Sequence, residues 1–131
     1  MALMALLENQ EGASKVEAIL STSDRESPSV FMSAVNWGEV YYSTWHDQGR
    51  EVADRVAGRV AGLPLIVVAA DQAQARLAAE LKAVYRLPYA DSFAAALAII
   101  RKSRLVTADF DFQAVARRVP ILWLGRPRKR R

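Results

Sequence analysis

LPLIVVAADQAQ, residues 63–74, is the stretch on which the fold turns. Leu65 to Val68 form a continuous apolar run rather than an alternating one, as expected of a strand in a parallel sheet with helices over both faces. Asp71 follows, and Gln74 stands three residues further on, a capping-box arrangement that opens a helix. The spacing predicts that helix over 72–85, with Leu77, Leu81 and Val84 turned inward.

On the N-terminal side, residues 48–62 read as a helix with Val52, Val56 and Val60 on its apolar face and Glu51, Arg55 and Arg59 toward solvent. Before it, Ser33 is placed to cap a helix over 34–46, and Pro28 followed by SVFMS gives a short strand. Residues 13–22, with Val16, Ile19 and Leu20 on one side, and ALMALLE, residues 2–8, read as two further helices. On the C-terminal side, RLP breaks the chain before a helix over 89–102 with Phe93, Leu97 and Ile100 inward. A strand at 104–107, a short helix at 111–117 and a closing strand VPILWL complete the body. Helices alternating with short apolar strands predict an α/β three-layer domain, its mainly parallel sheet of four to five short strands flanked by helices.

The chain has 131 residues, enough for one compact domain over 1–125, followed by a basic tail, RPRKRR, at 126–131. That tail holds five of the 18 Lys and Arg residues, leaving 13 against 14 acidic residues, so the net charge of +4 resides at the end of the chain. Arg126, Arg128, Lys129, Arg130 and Arg131 are candidates for attracting phosphate, the alternative being a solubilising end. With no cysteine and a single histidine, His46, thiolate metal sites, disulfides and paired-imidazole metal sites are excluded. The apolar start lacks the basic flank and cleavage signal of an export peptide, and no run approaches the ~20 apolar residues of a membrane span, so no membrane partner and a cytoplasmic location are expected.

Four carboxylates stand beside apolar runs: Glu39 within an aromatic helix, Asp91 in the first turn of the 89–102 helix, and Asp109 and Asp111 after the strand RLVT. In an open parallel sheet the C-terminal strand ends and the helix starts that follow them share one edge, where such domains bind ligands. Clustered carboxylates with water suit Mg²⁺ or Mn²⁺ rather than zinc, and phosphodiester cleavage is the chemistry such a site serves. Each acid also has a local explanation: Asp91 favours a helix start, Asp109 or Asp111 caps the turn that follows, and Glu39 shares with Asn36, Tyr42, Ser43 and His46 a polar stripe that reads also as facing water. Trp37, Tyr41 and Trp45 recur every four residues, as core or as an interface stripe for a partner. His46, near a helix end, reads as a surface group.

SAVNWGEV with Glu39, LPYADSFAAALA with Asp91, LVTADFDF with Thr107, Asp109 and Asp111, and a closing ILWL together resemble a PIN domain of the toxin kind, the VapC-like ribonucleases of type II toxin–antitoxin pairs. The resemblance runs from about residue 2 to 124. It implies a metal-dependent endoribonuclease using Mg²⁺ or Mn²⁺, an RNA substrate, a cognate antitoxin that occupies the site, and frequent homodimerisation. It further implies that Glu39, Asp91 and Asp109 hold the metal, that Asp111 contributes variably, and that the Thr107 hydroxyl positions ligands or water.

The sequence departs from that pattern at its start. Relatives open with an apolar strand ending in an aspartate and followed by a helix like ALMALLENQEG, whereas this sequence begins at the helix. Strands 29–33 and 104–107 are then expected to lack a shared neighbour. Either they close on each other, MALMALL enters the gap, or another chain donates a segment. MALMALL is the least suited to a strand, since Ala, Leu and Met favour helix and none is β-branched. A start site lying upstream and a degenerate member acting only by binding both account for the departure. Low or no cleavage by this 131-residue chain is the expectation, and the alternative function is a catalytically impaired PIN-like module that binds an antitoxin or dimerises.

Overall fold

The structure, a computed structural model, describes residues 13–21, 23 and 29–128. Helix α1 (Ala13–Ser21) is followed by strand β1 (Phe31–Ser33), helices α2 (Ala34–Gln48) and α3 (Arg50–Ala61), strand β2 (Ile66–Val68), helices α4 (Gln72–Tyr85) and α5 (Tyr89–Ile100), strand β3 (Leu105–Asp109), a 3-10 helix (Phe110–Val115) and strand β4 (Ile121–Arg128). The helix expected over 2–8 and the last three tail residues lie outside the described residues.

Local chemistry sets the boundaries. The Ser33 hydroxyl accepts from the Val35 amide and Asp71 Oδ1 from the Gln74 amide, the two caps expected at the starts of α2 and α4. Between α2 and α3 the chain turns at Gly49, whose φ of 93° is a conformation glycine adopts without steric cost. At the end of α4 Arg86 takes the left-handed conformation, with φ 61°, and donates its amide to the Lys82 carbonyl. The segment after β3 is 3-10 rather than the α-helix expected at 111–117, because Asp109 Oδ1 captures the Asp111 amide and tightens the first turn.

The architecture is α/β, with four short parallel strands flanked by helices. β1 pairs with β2, Phe31 opposite Ile66, and β3 with β4, Leu105 opposite Ile121. These are two separate two-stranded sheets, so β1 and β3 do not close on each other. Helix α5 packs against both strands, and the Arg101 guanidinium just beyond its end lies 4.2 Å from the centre of the Phe31 ring. The main core joins α4, α5, β3 and the 3-10 helix through Leu81, Phe93, Leu105, Phe112 and Val115. Phe112 is 1% exposed, and emptying such a site costs roughly 3–5 kcal/mol. A second cluster joins Met32, Val40 and Val60, and a third joins Leu20 of α1 to Leu124 of β4.

Three burial expectations are corrected. Ile66 and Val67 are 42% and 41% exposed, so the 65–68 run is covered incompletely rather than by helices over both faces. Val84 is exposed because the buried stripe of α4 passes through Gln74, Ala78 and Leu81 and leaves Val84 at its margin. Ile100, in the last turn of α5, lies past the buried run that ends at Ala98. The tail boundary also moves. A bulge between Thr107 and Asp109 lets β4 run on until Arg128 is the Cα partner of Asp109, so Arg126 and Arg128 belong to a strand.

Candidate functional site

Three elements carry the candidate acids: α2 holds Glu39, the first turn of α5 holds Asp91, and the end of β3 and the 3-10 turn hold Asp109 and Asp111. Asp91 is completely buried in an otherwise apolar helix, beside Ser92, whose hydroxyl donates to the Pro88 carbonyl at 3.1 Å. Asn36 of α2 is also completely buried and donates from Nδ2 to the Ala90 carbonyl at 2.8 Å. Its Oδ1 finds no hydrogen-bond partner among the described residues. Glu39 follows Asn36 by three residues and is half-buried, so it lies on the same side of α2, one turn along.

Thr107 is completely buried, and its Oγ1 accepts from the Asp109 amide at 3.0 Å. Asp109 Oδ1 accepts in turn from the Asp111 amide at 2.9 Å. Capping of the turn after β3 is therefore a present role of Asp109, whatever else its carboxylate does. Asn36 and Ser92 are buried polar groups beside Asp91 that were not among the expected site residues. The signal for Asn36 was its place three residues before Glu39 in a helix rich in aromatics, a polar stripe that reads equally well as solvent-facing.

The aromatic residues of α2 form a ladder along its surface. Trp37 stacks on Tyr41 with centroids 5.4 Å apart, and Tyr41 meets Trp45 edge-on at 5.9 Å. Arg50 of α3 sits 5.2 Å from the Trp45 ring centre, and the Tyr41 hydroxyl donates to Asp54 Oδ1 at 2.6 Å. That hydrogen bond, then partial burial and the Asp54 charge, hold the Tyr41 phenol above its ordinary pKa of 10.0. Trp37 packs on the Met32 cluster, whereas Trp45 is 45% exposed, so the ladder is core at one end and open surface at the other. His46 is an exposed group beside Asp47, in accord with its reading as a surface residue.

Among the described residues, no three His, Asp or Glu side chains gather into a group able to hold a metal ion. Glu39, Asp91, Asp109 and Asp111 are thus a donor set distributed over neighbouring elements, not an assembled three-acid centre. The set nonetheless suits Mg²⁺ or Mn²⁺ chemically. It offers oxygen donors only, and Mg²⁺ commonly takes one or two carboxylates, keeping water and substrate phosphate as its other ligands. Asp91, removed from solvent, would interact with a cation more strongly than an exposed carboxylate does. Asn36 Oδ1 is a further buried oxygen beside the start of α5.

The sequence from residue 2 to 118 matches the PIN domain, most of the chain, and the protein belongs to that family. PIN domains are a family of nucleases, generally metal-dependent, which implies a nucleic-acid substrate. No curated protein matches the sequence. Among the described residues, no helix is long and apolar enough to cross a membrane.

Proposed function

We propose that the protein is an endoribonuclease of the toxin type, VapC-like, whose activity a cognate antitoxin restrains, and that Asp91 is its central acid. The carrying observation is the complete burial of Asp91 in the first turn of α5, next to the residue that Asn36 ties to α2. Family membership supplies the reaction class, and the all-oxygen donor set supplies the metal preference. Glu39, Asp91 and Asp109 would hold Mg²⁺ or Mn²⁺, with Asp111 contributing and Thr107 fixing the backbone that carries Asp109. Bound there, the cation would activate water and offset charge on the scissile phosphate. The chain's own part is to present the carboxylates from neighbouring elements and to keep α2 and α5 in fixed relation. Antitoxin binding, homodimerisation and a cytoplasmic location belong to the same proposal.

The second reading, a catalytically impaired PIN-like module acting through binding alone, is favoured by the lack of a three-acid group among the described residues. One experiment separates the two. A single-stranded RNA is incubated with the protein and with Asp91→Asn, with Mg²⁺, Mn²⁺ or EDTA, and calorimetry follows cation binding in parallel. Metal-dependent cleavage that Asp91→Asn abolishes, with the far-UV spectrum retained, supports the nuclease. No cleavage by the wild-type chain together with no cation binding supports the binding module.

A further inference from the structure

Tyr89 and Phe110 are 45% and 42% exposed, and both adjoin the candidate acids in sequence. Tyr89 opens α5 two residues before Asp91, and Phe110 stands between Asp109 and Asp111. The connection from α5 to β3 brings the two aromatics to one end of the domain. There the Lys102 amide donates to the Ile99 carbonyl at 3.1 Å and the Ser103 amide to the Ala98 carbonyl at 2.9 Å, so the chain reverses within a few residues and α5 packs antiparallel beside β3. Counted from that turn, the helix spans roughly 16 Å to Tyr89 and the strand roughly 16 Å to Phe110, so both rings reach the same level.

Neither ring is consumed by the core. Tyr89 meets the buried Phe93 ring at 79° with centroids 5.1 Å apart, and one neighbour covers at most one face of a ring. Phe110 makes no ring contact among the described residues. A cation stands close by as well. Arg86, three residues before Tyr89, is exposed and forms no ion pair among the described residues. It holds a φ of 61° that glycine would adopt without steric cost.

Two kinds of macromolecule cover exposed aromatics, and the surroundings of Phe110 favour one. A protein partner would close an apolar core over the ring, and such cores are depleted of charge, whereas Phe110 has an aspartate on either side. A nucleobase stacks on one face of the ring and leaves those carboxylates at its rim, open to water and to a cation. The base has to be unpaired, because a base inside a duplex already has its faces covered by neighbouring bases. The Arg86 guanidinium supplies charge complementary to phosphate.

We propose that Tyr89 and Phe110 are base-stacking contacts that hold unpaired nucleotides of an RNA strand beside the candidate acids, with Arg86 taking a phosphate. The assignment deepens the nuclease reading and rests on its choice of RNA as substrate. It makes these three residues determinants of which RNA is held, a single strand or loop whose bases can be splayed apart.

The test measures binding without cleavage, by fluorescence anisotropy in EDTA at low salt. The probes are fluorescein-labelled oligouridylate, an abasic RNA of the same length, and the uridylate strand annealed to oligoadenylate. The full chain should bind the uridylate strand at least about fivefold more tightly than the abasic one. Tyr89→Leu and Phe110→Leu keep apolar bulk and lose the π face, so each should weaken binding of the uridylate strand by about fivefold or more and leave the abasic and annealed strands unchanged. Tyr89→Phe and Phe110→Tyr should bind as the wild type does. Arg86→Gln should weaken the uridylate and abasic strands alike and lower the salt slope by about 0.7. Tyr89 also touches Phe93, so Phe110→Leu carries the test if Tyr89→Leu lowers Tm. Equal binding of the uridylate and abasic strands by the wild type, leucine variants that bind uridylate as the wild type does, or a loss of the same size on both strands would each overturn the proposal. The second of these is the result if a protein covers the two rings. Cleavage is scored separately with Mn²⁺. The expected binding pattern without cleavage removes the nuclease reading and leaves the stacking contacts, whereas cleavage with any of the three contrary results removes the contacts alone.

Discussion

Asn36 and Ala90, 54 residues apart in sequence, are joined by a 2.8 Å hydrogen bond from a completely buried carboxamide to a backbone carbonyl. The bond fixes α2 against the first turn of α5, and thereby the element carrying Glu39 against the one carrying Asp91. A site assembled from separate elements depends on such ties, because propensity and capping shape each helix without setting the distance between two.

Asn36→Ala removes the donor and leaves the part-buried Ala90 carbonyl without it. A loss of about 1–3 kcal/mol is expected in urea unfolding, read as a lower midpoint at constant slope. A loss below ~0.5 kcal/mol, the range of an ordinary surface change, would mean that the tie does not hold the helices.

Arg86 ends α4 in the left-handed conformation, with φ 61°. Its side chain is exposed, so little packing is lost by removing it. Arg86→Gly should therefore stabilise the protein by roughly 1 kcal/mol, a few degrees in Tm, because glycine occupies that region without the Cβ penalty. Destabilisation would show that the arginine contributes more than its backbone geometry costs.

What was legible in the sequence follows from the range of the forces involved. The caps at Ser33 and Asp71 are local and were readable from one residue and the pattern after it. The parallel strands and flanking helices were readable from periodicity. The exposure of Ile66 and Val67 was not, because an apolar run of four looks the same whether its cover is complete or incomplete. Asp91, Asp109 and Glu39 were visible as acids beside apolar segments. Asn36 as the tie between α2 and α5 was not, since its partner is a carbonyl distant in sequence. The extension of β4 to Arg128 was hidden as well, because RPR carries no strand signal and the bulge beside Asp109 permits it.

Tyr41 gives a pH dependence. Its phenol donates to Asp54, and its pKa is raised in the fold by that hydrogen bond first, then by partial burial and the Asp54 charge. A group raised on folding contributes its stability in full below the unfolded pKa, near 10, and loses it as pH climbs through the higher folded value. Titrating tyrosinate absorbance should show one phenol ionising later than an unperturbed tyrosine. Asp54→Asn should bring it back toward the ordinary value, and an unchanged titration would separate Tyr41 from Asp54.

The basic end should act through salt alone. Removing Lys129, Arg130 and Arg131 leaves β4 intact to Arg128, and it should weaken RNA binding mainly below ~0.1 M salt, reducing the salt slope by at most about 2 if all three residues neutralise phosphates on a single strand. Deleting all of 126–131 removes strand residues as well, including the partner of Asp109, so it should also lower Tm. Identical salt titrations with and without residues 129–131 would exclude them from RNA binding.

Asp109 distinguishes a capping role from a chemical one, because the two can be removed separately. Its Oδ1 accepts from the Asp111 amide, and asparagine caps a helix about as well as aspartate while carrying no charge. Asp109→Asn should therefore keep stability within ~0.5 kcal/mol of the wild type, whereas Asp109→Ala should lose about 1 kcal/mol, within the 0.5–2 kcal/mol range of lost caps. If the carboxylate serves a cation, both variants should lose Mg²⁺- or Mn²⁺-dependent RNA cleavage and cation binding to a similar extent, despite their different stabilities. If capping is its whole contribution, the asparagine variant should cleave and bind cation as the wild type does, and only the alanine variant should be impaired, in proportion to its unfolding. Measuring Tm, cation binding and cleavage on the same three preparations decides between them, since a structural defect moves all three together and a lost ligand leaves Tm in place.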